Sequence, residues 1–249
     1  RPAGRPAKTS PAYLRLAVKG AKFGARGGWE RAVYFPHASD PTEPEVSFRR
    51  PAWHKAIERE CEAAEKRVAV LDLPGFTKFE VTGAGAPAWL DHMVAGVVPK
   101  PGRTALNYFL NDKGGIVTEM TLTHLGAGRY WLISAAAGEK HDEHWLREHL
   151  PADGSVRIDN VSARYGSLIV VGPKSRELLS QLTRADLSNE AFPWLSVRTI
   201  DIGYTKAAHL IWHVYQLGGL IGDATSTNPR VLAGKYAGVG VNASIGAGA

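Results

Sequence analysis

"NDKGGIVTEMTLT", residues 111–123, is the stretch on which the fold turns. A polar turn with two adjacent glycines opens onto a β-branched run that alternates residue by residue. Ile116, Thr118, Met120 and Leu122 fall on one face, and Val117, Glu119, Thr121 and Thr123 on the other. "TALNYFLN" precedes this run and "RYWLISAA" follows it after a "GAG" turn, so the three segments are predicted to form an antiparallel meander. Glu119 is the awkward residue. An ionised carboxylate inside a strand is costly to bury unless it is paired. It is therefore a cross-strand partner for a base, an acid on the solvent face of the sheet, or a working group.

Outward from the meander, helices and strands interleave. "APAWLDHMVAG" is an amphipathic helix with Pro87 near its first turn and Gly96 as its stop. "VAVLDLPGFTKFEVTG" reads as one or two strands ahead of it, and residues 59–68 as a Glu- and Ala-rich helix. "GEKHDEHWLREHLP" is a helix, "DGSVRIDNVS" and "YGSLIVVG" are strands, "PKSRELLSQLT" is a helix with Pro at its first position, and "LSVRTIDIG" is a strand. The expected class is α+β, built from antiparallel sheets with split, ferredoxin-like units. Residues 1–58, rich in Pro, Gly, Trp and Arg, read as irregular chain packed by aromatics, with a helix beginning near Trp53. After Gly203 the periodicity fades, and residues 216–249 hold only three charges, Asp223, Arg230 and Lys235. That tail is expected to be poorly ordered.

The totals bound the rest. A chain of 249 residues suits one large or two modest domains, and 44% hydrophobic with 22% charged residues is ordinary for a globular protein. No apolar run approaches the roughly 18 residues of a membrane span. The opening "RPAGRPAKTSP" has no Met and no signal-peptide core, and reads as chain cut from something longer. One cysteine, Cys61, excludes a disulfide framework and a thiol metal cluster, and a reducing cytoplasm is the expected setting. The formal charge of +6 favours anionic partners. The basic residues are scattered, however, without zinc-finger or RNA-recognition spacing, so a small anionic ligand is expected and nucleic acid is not.

Three patterns resolve to bland readings. His141, His144 and His149 are spaced by three and five, not by the four of a helical zinc pair, so the helix is a solvated face with a Glu143–Arg147 pair; no metal site is expected. "GAGAPAWL" (83–90) lacks the third glycine of a dinucleotide turn and follows an antiparallel strand. No Ser-centred nucleophile motif or phosphate loop occurs.

Taken together, "KFGARGGWER", "SFRRPAW", "VLDLPGFTKFEVTG", "LNDKGGIVTEMTLTHL" and "LSNEAFPWLSVRTIDIG" resemble the C-terminal part of the dimethylglycine and sarcosine dehydrogenase family, over about residues 1–203. That part is homologous to the glycine-cleavage T-protein, an aminomethyltransferase. The resemblance implies a remnant of the central FAD-oxidoreductase linker domain at 1–58, a folate-binding module at 59–203, and an atypical or frame-shifted tail at 204–249, with the C-terminal barrel missing. It implies tetrahydrofolate as the cofactor, a methylated glycine-derived substrate, and an FAD domain upstream in the parent. The product would be 5,10-methylenetetrahydrofolate. Glu119 occupies the position of the family's catalytic aspartate, while Leu106, Thr121, Ile133 and Phe76 match positions that contact the pterin. The family's later Tyr-x-Gly-Glu-x-Gly motif has no counterpart, since no glutamate follows Glu190. This chain alone is therefore expected to be weak or inactive as an enzyme. The alternative is a non-enzymatic folate-binding relative, of the kind that assists tRNA modification or iron–sulfur assembly.

Overall fold

The computed structural model describes residues 4–40, 48, 50–51 and 53–203, together with the backbone of two later strands at 205–216 and 237–246. The elements in chain order are α1 (Tyr13–Val18), β1 (Lys22–Arg26), β2 (Trp29–Tyr34), α2 (His54–Lys66), β3 (Ala69–Asp72), β4 (Phe76–Thr82), α3 (Ala86–Met93), β5 (Arg103–Leu110), β6 (Ile116–Gly126) and β7 (Arg129–Ala135). A single 3₁₀ turn (Ala136–Gly138) leads into α4 (Glu139–Glu148), followed by β8 (Arg157–Asn160), β9 (Tyr165–Val171), α5 (Ser175–Ser180), β10 (Val197–Ile202), β11 (Thr205–Gln216) and β12 (Ala237–Gly246).

The expected meander is present as β5–β6–β7. It belongs to a five-stranded sheet of order β5-β6-β7-β4-β8 in which every pairing is antiparallel. Chain order β4–α3–β5–β6–β7–α4–β8 with this spatial order is a ferredoxin-like unit widened by one edge strand. Alternation decides which face is covered. Phe79 and Val81 of β4, Phe109 of β5, Met120 and Leu122 of β6, and Leu132 of β7 pack with Trp89, Leu90 and Met93 of α3 and Leu146 of α4. The opposite face, which carries the other half of each strand's residues, is left free of helices from this unit.

A second five-stranded sheet has the order β10-β11-β12-β9-β3, again antiparallel. Its apolar side gathers Val170, Leu179, Leu187, Phe192 and Ile200. The two sheets are stitched together where β5 and β10 begin: Thr104 N–H donates to Leu195 O at 3.0 Å and Val197 N–H to Gly102 O at 2.7 Å. The Trp131 and Tyr165 rings meet at 4.8 Å between them. Among the described residues neither sheet closes into a barrel.

Residues 4–40 are more regular than expected. β1 and β2 form a hairpin joined by Gly27 and Gly28, both at positive φ (55° and 83°). Its strands do not alternate cleanly between apolar and polar residues, which hid them from a periodicity reading. Pro173 does not open α5 but lies two residues before its first residue, Ser175. Most of the tail falls outside the described residues; β11 and β12 pair with each other, and β12 also with β9. The "GAG" glycines at 83–85 serve packing: a Cβ on Gly83 (φ +114°) would run into the Ser155 carbonyl oxygen.

Candidate functional site

The β5–β6 hairpin positions the site. Asn111 shapes its turn, where the side-chain Oδ1 accepts from the amides of Lys113 (3.0 Å) and Gly115 (2.9 Å). Gly114 takes the left-handed conformation (φ +75°) that this turn needs. That turn sets the register, which pairs Leu106 with Thr121 and Tyr108 with Glu119. On the far side of β6, Thr121 pairs with Ile133 of β7, and Ile133 pairs with Lys78 of β4. Leu106, Thr121, Ile133 and Lys78 therefore make one row across four strands, on the face away from α3 and α4. Three of the four are sequence-predicted site residues.

The remaining two predicted residues belong beside this row. Glu119 lies two residues before Thr121 and so shares its face. Phe76 lies two before Lys78 and pairs with Ala135. All five thus share one sheet face, with Glu119 and Phe76 displaced to the same side of the row. On its other side, Thr104 and Thr123 join hydroxyls at 2.9 Å, and Trp131 donates its indole N–H to Glu80 at 3.0 Å.

Burial deepens along the row. Leu106 is 56% exposed and Lys78 only 1%, with Thr121 and Ile133 half-buried between them. Glu119 is exposed. Tyr108 opposite donates its hydroxyl to the Glu119 carboxylate, which holds the phenol above its ordinary pKa. Lys78 was missed by sequence reasoning. Its Nζ donates to Phe76 O at 2.9 Å, and burial pushes its pKa down to about 8. Its alternation with Phe76 and Glu80 in "FTKFEV" shows which face of its own strand it takes, but not the strand beside it. Tyr108 was also missed, although counting back from the turn places it opposite Glu119.

An exposed apolar edge (Leu106, and Tyr108 at 40%) beside a lone carboxylate suits a flat, partly apolar ring that carries an amine. Elsewhere the helix α4 carries the expected Glu143–Arg147 pair at 3.0 Å, with His144 against Glu148 at 3.2 Å. Among the described residues no three His, Cys, Asp or Glu side chains gather as a metal site. Cys61 is free and half-buried, and burial followed by Glu60 pushes its thiol up, away from nucleophilic character. No helix among the described residues is long and apolar enough to cross a membrane.

A family model described as the GCVT N-terminal domain matches residues 12–212. The chain belongs to that family. This GCVT domain is homologous to the dimethylglycine and sarcosine dehydrogenases. It is 36% identical to human mitochondrial dimethylglycine dehydrogenase over 80% of this chain and 23% of that protein. Against human mitochondrial sarcosine dehydrogenase it is 27% identical over 84% of this chain and 27% of that protein. It is also 30% identical to the mouse mitochondrial pyruvate dehydrogenase phosphatase regulatory subunit, over 84% of this chain and 24% of that protein. The GCVT chain thus spans about a quarter of the length of these relatives. The fold matches glycine cleavage system aminomethyltransferase T from Bartonella henselae with a TM-score of 0.68 and 18% identity, over 96% of this chain and 54% of that one. A second family model, for a protein family of unknown function (DUF992), matches residues 194–249, which takes in the compositional change after Gly203.

Proposed function

We propose that this GCVT domain binds tetrahydrofolate on the face of the β5-β6-β7-β4-β8 sheet turned away from α3 and α4, at its exposed β5–β6 end, and serves in one-carbon transfer, as the aminomethyltransferase module of a dimethylglycine- or sarcosine-dehydrogenase-like parent. The observation that carries this reading is the common face of Glu119, Leu106, Thr121, Ile133 and Phe76, five positions chosen by resemblance to folate-binding relatives and brought together by register. The parent would hold FAD in an upstream domain, which oxidises the methylated amine. In this proposal residues 1–58 are linker, 59–203 the folate module, and 204–249 an atypical tail. The lone cysteine supports a reducing compartment, the cytoplasm in this reading, although the mammalian relatives are named mitochondrial proteins.

The folate would supply the amine that takes up the one-carbon unit to give 5,10-methylenetetrahydrofolate. Leu106 and Ile133 would flank the ring with apolar surface, and Thr121 between them offers a hydroxyl. Glu119, open to solvent and steadied by Tyr108, accepts or steers the proton that the attacking amine must lose, and its charge favours a cation developing beside it.

Calorimetric titration of the chain with tetrahydrofolate tests binding. Wild type and Glu119→Gln are expected to bind comparably. Methylene transfer, measured with an FAD-containing dehydrogenase half supplied in trans, is expected to fall about a hundredfold or more in Glu119→Gln. Absence of folate binding by the wild type sinks the reading. Likeness to a phosphatase regulatory subunit favours a second one, a folate-binding domain without turnover. Binding without any transfer by the wild type selects it.

A further inference from the structure

We infer that the cleft between the β1–β2 hairpin and the start of β4 is a carboxylate subsite, in which Arg26 and Arg31 grip the acid group of a ligand whose body rests on Phe76. In the hairpin, Arg26 pairs with Trp29 and Arg31 with Gly24, so Arg26, Trp29 and Arg31 share one face. Gly24 leaves no side chain beside the stem of Arg31. The hairpin is seated against the end of β7, because a Cβ on Gly27 would come within 2.8 Å of Ala136 Cβ.

The resulting cleft has a volume of about 230 Å³ and is walled by Arg26, Arg31, Trp29, Leu73, Phe76 and Ala135 among others, with no acidic residue in its lining. That volume accommodates a carboxylate-bearing group the size of one amino acid, and the walls are apolar apart from the two guanidinium groups. Five arginines have carboxylate partners: Arg5 with Glu30, Arg59 with Asp40, Arg129 with Glu80, Arg147 with Glu143 and Arg157 with Asp159. Others, such as Arg15 and Arg103, have none among the described residues, so it is the juxtaposition of Arg26 and Arg31 on one cleft that sets them apart. Arg26 and Arg31 have none among the described residues. Burial, and then the charge of Arg26, lowers the pKa of Arg31, the condition that a bound anion relieves. Phe76 and Ala135 also border the row that holds Thr121 and Ile133, so the cleft continues the folate face instead of standing apart from it.

Carboxylates of two sources have the right chemistry. The glutamyl tail of tetrahydrofolate would reach the cleft from a ring lying on the row, and this source rests on the proposed function. The carboxylate of an N-methylated glycine would enter without a pterin, and this source does not. The full chain is titrated calorimetrically with tetrahydrofolate, with tetrahydropteroate, which lacks the glutamyl group, and with N,N-dimethylglycine. Each titration is repeated on Arg26→Gln, Arg31→Gln and the charge-keeping Arg31→Lys, with thermal unfolding to show that the fold is kept.

A preference for tetrahydrofolate over tetrahydropteroate of about tenfold or more, lost in the Gln variants and partly kept in Arg31→Lys, assigns the subsite to the glutamyl tail. Dimethylglycine binding that disappears with the arginines assigns it to the substrate, even if neither pterin binds and the folate reading fails. Equal binding of the two pterins, with no arginine-dependent binding of dimethylglycine, overturns the subsite and leaves the folate reading standing. If no ligand binds, both fall. The comparison of the two pterins on the wild type needs no variant to fold.

Discussion

Tyr108 and Glu119 face each other across the β5–β6 hairpin, and the phenol donates its hydrogen to the carboxylate. The pair sits where the sheet is open, so its bond is exposed to water and adds little to stability. Its effect is on the phenol, which the neighbouring carboxylate holds in its protonated form.

Replacing Glu119 by Gln removes the charge that disfavours the Tyr108 phenolate. The Tyr108 pKa is therefore expected to fall back toward the ordinary tyrosine value, followed by ultraviolet difference titration against a Tyr108→Phe control. An unchanged titration would show that the two side chains do not interact in solution.

Lys78 predicts a pH effect on stability with a definite sign. Its folded pKa, about 8, lies below the 10.5 of an unfolded lysine, so between those values the unfolded chain binds more protons and stability rises with pH. Below pH 8 the full penalty, on the order of 3 kcal/mol, is present. Lys78→Met forfeits the hydrogen bond to Phe76 O but is expected to raise stability at pH 7 by about 2 kcal/mol and to flatten the slope from pH 8 to 10. Urea denaturation at several pH values measures both, and a destabilised Met variant would mean that the ammonium has an ionic partner.

The turn at 111–115 should be sensitive at two positions for different reasons. Gly114→Ala meets open space but forces a side chain into φ +75°, at a cost of about 1–2 kcal/mol. Asn111→Ala loses acceptors for two turn amides, at about 1–2 kcal/mol. A turn of different conformation in solution would leave Gly114→Ala neutral in the same denaturation assay.

Thr77 and Ser134 lie opposite each other on β4 and β7, buried, and each has a hydroxyl with no hydrogen-bond partner. Substituting both, as Thr77→Val with Ser134→Ala, removes two desolvated polar groups and is expected to stabilise the chain by about 1 kcal/mol. Loss of stability in the double variant would point to a shared buried water.

Much of this architecture was legible where local pattern and tertiary demand agree. The alternation in 116–123 placed Glu119 and Thr121 on one face, and the glycine turns implied the β5–β6–β7 meander before any contact was known. Lys78 was not legible, because its membership of the row depends on β4 pairing with β7, strands separated by α3, β5 and β6. Nothing within "FTKFEV" states that partner. The β1–β2 hairpin escaped for a different reason. Residues 1–58 read as irregular chain because β2 carries Trp29 and Glu30 both buried in succession, which breaks the period of two. Glu30 is buried because Arg5 meets it at 2.5 Å, a contact 25 residues away in sequence.

The gradient of burial from Leu106 to Lys78 leaves the row itself open at its β5 end. The proposed flat ligand, lying along the row, would meet water at Leu106 and none at Lys78, so the β5 edge would be its way in and out. Substitutions at Leu106 are then felt in both arrival and departure rates, whereas those at Ile133 act on residence time. The two ends of one row of side chains would be told apart by kinetics even where equilibrium affinities coincide.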